Sequence, residues 1–199
     1  NLLAADPLII NYPGKDNGIK LFYPSLISME EEALSASASW KASEGNSLWY
    51  HSLKNGLESG GRVSPNNDDM DLEFWWQFHE EGIALKGPGI LMDLSGTEFE
   101  DTGHDRTWGL TNDGWIKFSE LNNMSYSAIA VQSENGEKIA ALAWNNGEKL
   151  IVEGAKIGVI LETPEFSLAR RYFVRGKLYI IKGRLEDLKL RISRELLIL

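Results

Sequence analysis

The sequence predicts an all-β fold, an antiparallel two-sheet sandwich of jelly-roll or supersandwich-like kind with one C-terminal amphipathic helix. Short apolar or alternating runs recur along most of the chain, separated by Gly, Asn, Asp and Pro, with no strand-helix-strand rhythm. Five Asx-Gly turns supply residues that tolerate positive φ, as tight hairpins demand. Only the segment after Gly183 exchanges the period of two for a helical one.

The expected strands run in order as Ile19–Tyr23, Ala33–Lys41, Ser47–Leu53, Gly61–Ser64, Met70–Phe78 and Gly89–Leu94, then Trp115–Phe118, Ser127–Gln132, Lys138–Trp144, Gly158–Glu162 and Phe173–Ile181. The turns are Asp16-Asn17-Gly18, Lys54-Asn55-Gly56, Asn112-Asp113-Gly114, Glu134-Asn135-Gly136 and Asn145-Asn146-Gly147. Met29–Ser37, with three glutamates, competes as a helix on propensity, whereas the Leu34 to Trp40 alternation reads as a strand with a small polar face. In the tail, Leu185, Leu188, Ile192 and Leu196 recur at three- and four-residue spacing, which predicts a helix over 184–198 packed on a sheet.

At 199 residues the chain is long enough for one substantial core, and 1–199 is read as a single β-sandwich domain with that appended helix. The 43% hydrophobic and 25% charged fractions are those of an ordinary globular chain. No apolar stretch approaches the roughly 18 residues of a membrane span. A net charge of −9 repels nucleic-acid phosphates and anionic lipid, so nucleic acid and membrane are not expected partners. The absence of cysteine removes disulfides, thiolate nucleophiles and cysteine metal sites. The start at Asn1, without methionine, fits a removed leader or a trimmed chain, so a secreted or periplasmic location is expected.

The most informative segment runs from Asp68 to Phe78. As a strand it places Met70, Leu72, Phe74, Trp76 and Phe78 on one face and Asp69, Asp71, Glu73, Trp75 and Gln77 on the other. Carboxylates beside an aromatic platform are the equipment of a retaining glycosidase, but the same alternation describes the wet face of any antiparallel strand. Between these lies a face that binds sugar without cutting it, since acids accept hydroxyl hydrogen bonds and indole covers the apolar side of a pyranose.

A second constellation spans Phe99 to Trp108 and continues at Asn112-Asp113-Gly114-Trp115. It supplies Arg106, Trp108 and Trp115 as further candidate substrate-binding residues, beside Trp75 and Gln77. Glu100, Asp101 and Asp105 could take calcium, although their spacing fits no calcium loop, and Arg106 pairing with Asp101 or Asp105 is the plainer reading. His51, His79 and His104 lie on separate segments, so zinc or copper is disfavoured, no cofactor is required and the metal ligands stay unassigned. No Gly-x-Ser-x-Gly, phosphate loop or dinucleotide fingerprint occurs.

The acidic strand resembles laminarinases and lichenases, β-jelly-roll glycoside hydrolases whose motif reads Glu-x-Asp-x-Glu or Glu-x-Asp-x-x-Glu. That resemblance implies Asp69 as nucleophile, Asp71 as helper and Glu73 as acid/base, with Asp69 one methylene shorter than the family's Glu. Residues four apart in a strand have α-carbons roughly 13 Å apart, and a retaining pair must approach to roughly 5.5 Å. Four further segments carry a broader resemblance: Ser47-Leu48-Trp49-Tyr50, Gly61 to Pro65, Arg106-Thr107-Trp108 with Asp113-Gly114-Trp115, and Arg175 to Gly183. With these the chain is similar to uncharacterised bacterial domains of polysaccharide-degrading lineages and to large sandwiches of the aldose-epimerase type. No epimerase residue can be placed.

The expected function is therefore recognition of a polysaccharide or oligosaccharide through the acidic-aromatic face, with hydrolysis by Asp69, Asp71 and Glu73 as its catalytic form. A structural or interaction module, with a partner on the tail helix or on an edge at Arg170–Val174, or a metal-dependent enzyme using the histidines, are the alternatives. Oligomerisation is left open. The net charge favours neutral glycans, unless calcium or the cluster of Arg170, Arg171 and Arg175 offsets it.

Overall fold

A computed structural model of the chain describes residues 2–3, 7–11, 17–26, 39–54, 56–81, 88–121, 126–145, 147–161 and 167–196. Its strands are β1 (Leu2–Leu3), β2 (Leu8–Ile10), β3 (Ile19–Leu26), β4 (Lys41–Ala42), β5 (Leu48–Lys54), β6 (Leu57–Pro65), β7 (Asp69–Phe78) and β8 (Pro88–Asp93). They continue as β9 (Thr107–Thr111), β10 (Gly114–Lys117), β11 (Ala128–Gln132), β12 (Lys138–Trp144), β13 (Gly147–Glu153), β14 (Lys156–Leu161) and β15 (Arg171–Lys182), and helix α1 (Leu185–Leu196) follows. The strands form two antiparallel sheets, as the alternating pattern predicts. One has the order β1-β3-β8-β14-β13, with β2 also paired to β3; the other has the order β10-β9-β11-β12-β15-β7-β6-β5-β4.

The period of two fixes what each face does. On β7, Leu72, Phe74, Trp76 and Phe78 are buried and point at the opposing sheet, where Ile19, Leu21, Ile90, Met92 and Val159 meet them. From the centre of the large sheet, Tyr172, Val174 and Leu178 of β15 and Leu142 and Trp144 of β12 complete this inter-sheet core. Burial on this scale is the main stabilising term of the fold.

A second core lies on the outer side of the large sheet. There Ala128 and Ala130 of β11 and Ala141 and Ala143 of β12 leave a shallow trough, and Leu185, Leu188 and Ile192 of α1 fill it. Small side chains permit the close approach of a helix to a sheet, and the helix buries the apolar stripe read from its spacing. Glu186 and Asp187 in its first turn and Arg194 in its last suit the helix dipole. Among the described residues no helix is long and apolar enough to cross a membrane.

Several expectations are corrected. Gly56, Gly114 and Gly136 have φ of 70°, 132° and 72°, as their turns require, but Gly18 and Gly147 do not adopt positive φ. The Asn145-Asn146-Gly147 segment joins β12 in one sheet to β13 in the other, so it is a crossover between layers and not a hairpin. Glycine is needed there because the Trp144 indole lies across it: a Cβ at Gly147 would fall 1.5 Å from Trp144 Nε1. The hairpin joining β13 to β14 instead turns at Gly154, φ 57°, which no Asx-Gly pair announces. Strand β15 pairs with β7 along Arg171–Tyr179 but with β12 only along Gly176–Lys182, so among the described strands Arg171–Val174 is paired on one side alone, as the edge expected at Arg170–Val174 requires. The Met29–Ser37 helix and residues 33–38 of the expected Ala33–Lys41 strand lie outside the described residues.

Candidate functional site

The outer face of the large sheet divides at β15. Toward β9 it is covered by α1, and toward β4 no described residue covers it; the strand register sets out this bare part. Trp49 of β5, Arg62 of β6, Glu73 of β7 and Arg175 of β15 stand in one cross-strand row. His51, Gly60, Trp75 and Phe173 form the next. Side chains directly opposite across a sheet touch, so each row acts as one surface.

Trp75 lies flat because Gly60 has no side chain, a Cβ there falling 2.6 Å from the indole. The neighbouring Gly61 makes the matching allowance on the inner face for Tyr50, whose Cε1 lies 2.5 Å from that glycine's ideal Cβ. Arg171 stacks its guanidinium over Trp75 at 4.1 Å, and the His51 ring stands 5.8 Å from the same indole. Trp49 is 39% exposed with the Lys41 ammonium above it, and Phe173 is 53% exposed. Trp49, His51, Arg62, Glu73, Trp75 and Phe173 wall a depression of about 370 Å³, within the size range of small-ligand sites.

Beside it, Glu58 receives two imidazoles, His51 Nε2 at 2.8 Å and His79 Nε2 at 2.7 Å. These bonds hold its carboxyl below the usual carboxylate range. Two of the three candidate histidines thus meet on one carboxylate, while His104 donates to the Gly154 carbonyl at 3.0 Å. Among the described residues no group of three or more His, Cys, Asp and Glu side chains is arranged to hold a metal ion.

The acidic trio is split. Glu73, with its side chain 40% exposed and 3.7 Å from Arg175, lines the depression. Asp69 is only 6% exposed and is held by Lys177 at 3.3 Å and by Arg191 of α1. Asp71 meets Lys177 at 3.1 Å, and Asn66 donates to both aspartates. Arg191 also grips Asp68 through two bonds of 2.8 Å and reaches Glu195, which accepts from Tyr179 and from Lys177. This lattice ties the helix to β7 and β15. Arg191 keeps the Asp68 carboxyl below its ordinary value. Burial pushes Glu195 up, but its bonds to Arg191, Lys177 and Tyr179 outweigh that and hold it low.

Trp75 and Gln77 lie on the bare half, Gln77 accepting from Arg171 at 3.3 Å. Arg106, Trp108 and Trp115 do not join them. Strand β9 stands four strand spacings from β7, about 19 Å at the usual inter-strand distance. Trp108 and Trp115 pack against the second core, where Trp115 Nε1 donates to the Leu185 carbonyl at 2.6 Å and so anchors the start of α1. Arg106 donates to the carbonyls of Gln132 and Glu100, and Asp101 accepts from the Arg106 amide and Thr107 hydroxyl at 2.8 Å each. These bonds brace the loop, which is the plainer of the two readings of its sequence. Glu100 accepts from the Gly96 amide.

Trp49, Arg62 and Phe173 were not singled out as binding residues from sequence. The available signal was the opposite phase of their strands: Trp49 beside buried Tyr50, and Phe173 between buried Tyr172 and Val174.

No protein-family model and no curated protein matches the chain. Among solved structures it is similar to a galactose mutarotase related enzyme from Lactobacillus acidophilus, at 6% identity and a TM-score of 0.49, over 85% of this chain and 84% of that one.

Proposed function

We propose that the protein binds a polysaccharide or oligosaccharide on the bare half of the large sheet, with sugar rings seated in the depression between Trp49, Trp75 and Phe173. The exposed rings of Trp49 and Phe173 take the apolar side of a pyranose, with Trp75 flooring the depression under Arg171, and Arg62, Glu73 and His51 supply donors and acceptors for hydroxyl groups. The observation that carries this reading is the exposure of Trp49 and Phe173 together, beside a depression that also holds a guanidinium and a carboxylate. Exposed aromatic area contributes nothing to folding, and its clustering with convergent polar groups supports a ligand surface.

Isothermal titration against a panel of neutral and acidic glycans tests this. Wild type should bind at least one member, Trp49→Ala should weaken that binding about tenfold, roughly 1.4 kcal/mol, and Trp115→Phe should leave it unchanged. Binding of no glycan, or equal binding by Trp49→Ala, contradicts the reading.

Binding without cleavage is the form that the acids support. The resemblance to laminarinases would need Asp69 as nucleophile, and that carboxylate is buried under α1 and held by two cations. Product profiling by mass spectrometry should therefore detect no oligosaccharide release. Release that is lost in Glu73→Gln would instead make Glu73 a catalytic group.

A further inference from the structure

We infer that the glycan taken by this face is anionic, a uronic-acid polymer whose carboxylate is gripped by Arg62 and Arg175. This inference rests on the reading of the bare face as a glycan site and adds the charge class of the ligand.

The chain carries a net −9, yet cations cluster around the depression. Arg62 lines it and Lys41, Arg171 and Arg175 stand around it, against the carboxylates of Glu58 and Glu73, while Asp71, just beyond, shares Lys177 with Asp69 and Glu195. Glu58 is further occupied by His51 and His79. Among the described residues Arg62 meets no carboxylate at ion-pair distance, and its polar contact is a weak one, 3.4 Å to the Ser47 hydroxyl. The Arg175 side chain is 70% exposed and, among the described residues, meets the carboxylate of Glu73 alone, at 3.7 Å. Two guanidinium groups thus flank one carboxylate on neighbouring positions of a single cross-strand row, Arg62 lining the depression and Arg175 standing beside it.

A planar guanidinium matches a carboxylate through two parallel N–H donors, which an ammonium cannot do. Arg171 over Trp75 and Lys41 over Trp49 add positive charge at the margin of the depression. A uronate brings both parts that the face displays partners for: a ring with an apolar side and a carboxylate at its edge. The overall negative charge makes such recognition depend on the local cluster, so binding should weaken with salt.

The test uses matched pairs: oligomers of galacturonic, glucuronic, mannuronic and guluronic acid, each beside its carboxyl-reduced neutral counterpart, titrated calorimetrically into the full chain at low and at 0.5 M salt. At least one uronate should bind tenfold or more tightly than its reduced partner, the preference should shrink at high salt, and in Arg62→Gln the ratio of the two affinities should fall to about one. Circular dichroism confirms that the variant is folded, and Arg175→Gln provides a second test of the same preference. Equal binding of both members of every pair, or a preference intact in both variants, overturns the inference and leaves the glycan-binding reading standing. Binding of a neutral glycan alone has the same consequence. No binding by any sugar sinks both. A single-stranded oligonucleotide binding as tightly as the best uronate would show recognition of charge alone and would overturn the proposal.

Discussion

The two halves of one sheet face have been put to opposite uses. Toward β9 the outer positions are Ala128, Ala130, Ala141 and Ala143, flanked by Tyr179 and Ile181, and α1 closes over them. Toward β4 they are Trp49, Arg62, Glu73, Trp75, Phe173 and Arg175, and nothing described in the chain covers them. Side-chain size decides where a helix can settle, and charge decides where it stops: the lattice of Asp68, Asp69, Lys177, Arg191 and Glu195 marks the border between the halves. The covered half is built for stability, and the bare half holds groups whose exposure folding does not require.

The comparison is broken most severely by emptying the covered half. Leu188 is fully buried between α1 and the alanine trough, and Leu188→Ala should cost about 2–5 kcal/mol in urea unfolding. A cost below about 1 kcal/mol would mean that the helix contributes little and that the halves differ less than described.

The border comes next. Arg191→Met leaves Asp68 exposed to solvent but strips the buried Asp69 of one of its two cations, for an expected loss of about 1–3 kcal/mol at neutral pH. The pH dependence carries the sign. Asp68 and Glu195 have carboxyls held below their ordinary values by Arg191, with Lys177 and Tyr179 also acting on Glu195. Their contribution is complete above the unfolded values near pH 4 and is lost as pH falls through the lower folded values. The stability gap between wild type and Arg191→Met should therefore narrow on acidification below about pH 4. A gap constant from pH 7 to pH 2 would assign the effect to packing of the arginine stem.

The smallest expected effect sharpens the contrast. Phe173→Ala, on the bare half, should change stability by no more than about 0.5 kcal/mol while weakening glycan binding. A large loss of stability would place Phe173 in the structural half after all.

Much of this architecture is legible locally. The alternation of Met70 to Phe78 assigns the two faces of β7, and the spacing of Leu185, Leu188 and Ile192 gives the docked stripe, because both periods are properties of neighbouring residues. Layer assignment is not local: Asn145-Asn146-Gly147 has hairpin chemistry but spans the two sheets. The site was half legible for the same reason. Trp75 and Glu73 face outward as their phase requires, yet the burial of Asp69 depends on Arg191, 122 residues away. No spacing rule brings Trp49, Arg62 and Phe173 to one depression, since register across four strands does that. Trp108 and Trp115 match the composition of a sugar site but sit beside an alanine trough, and the helix claims them.

The central claim, that glycan meets the bare half and spares the covered one, is tested most directly by the indole N–H resonances of the seven tryptophans. With an ¹⁵N-labelled chain and a bound glycan, the Trp49 and Trp75 signals should move, and those of Trp108 and Trp115 should stay. Movement of Trp108 and Trp115 with Trp49 and Trp75 unmoved would contradict the account and place the ligand at the helix.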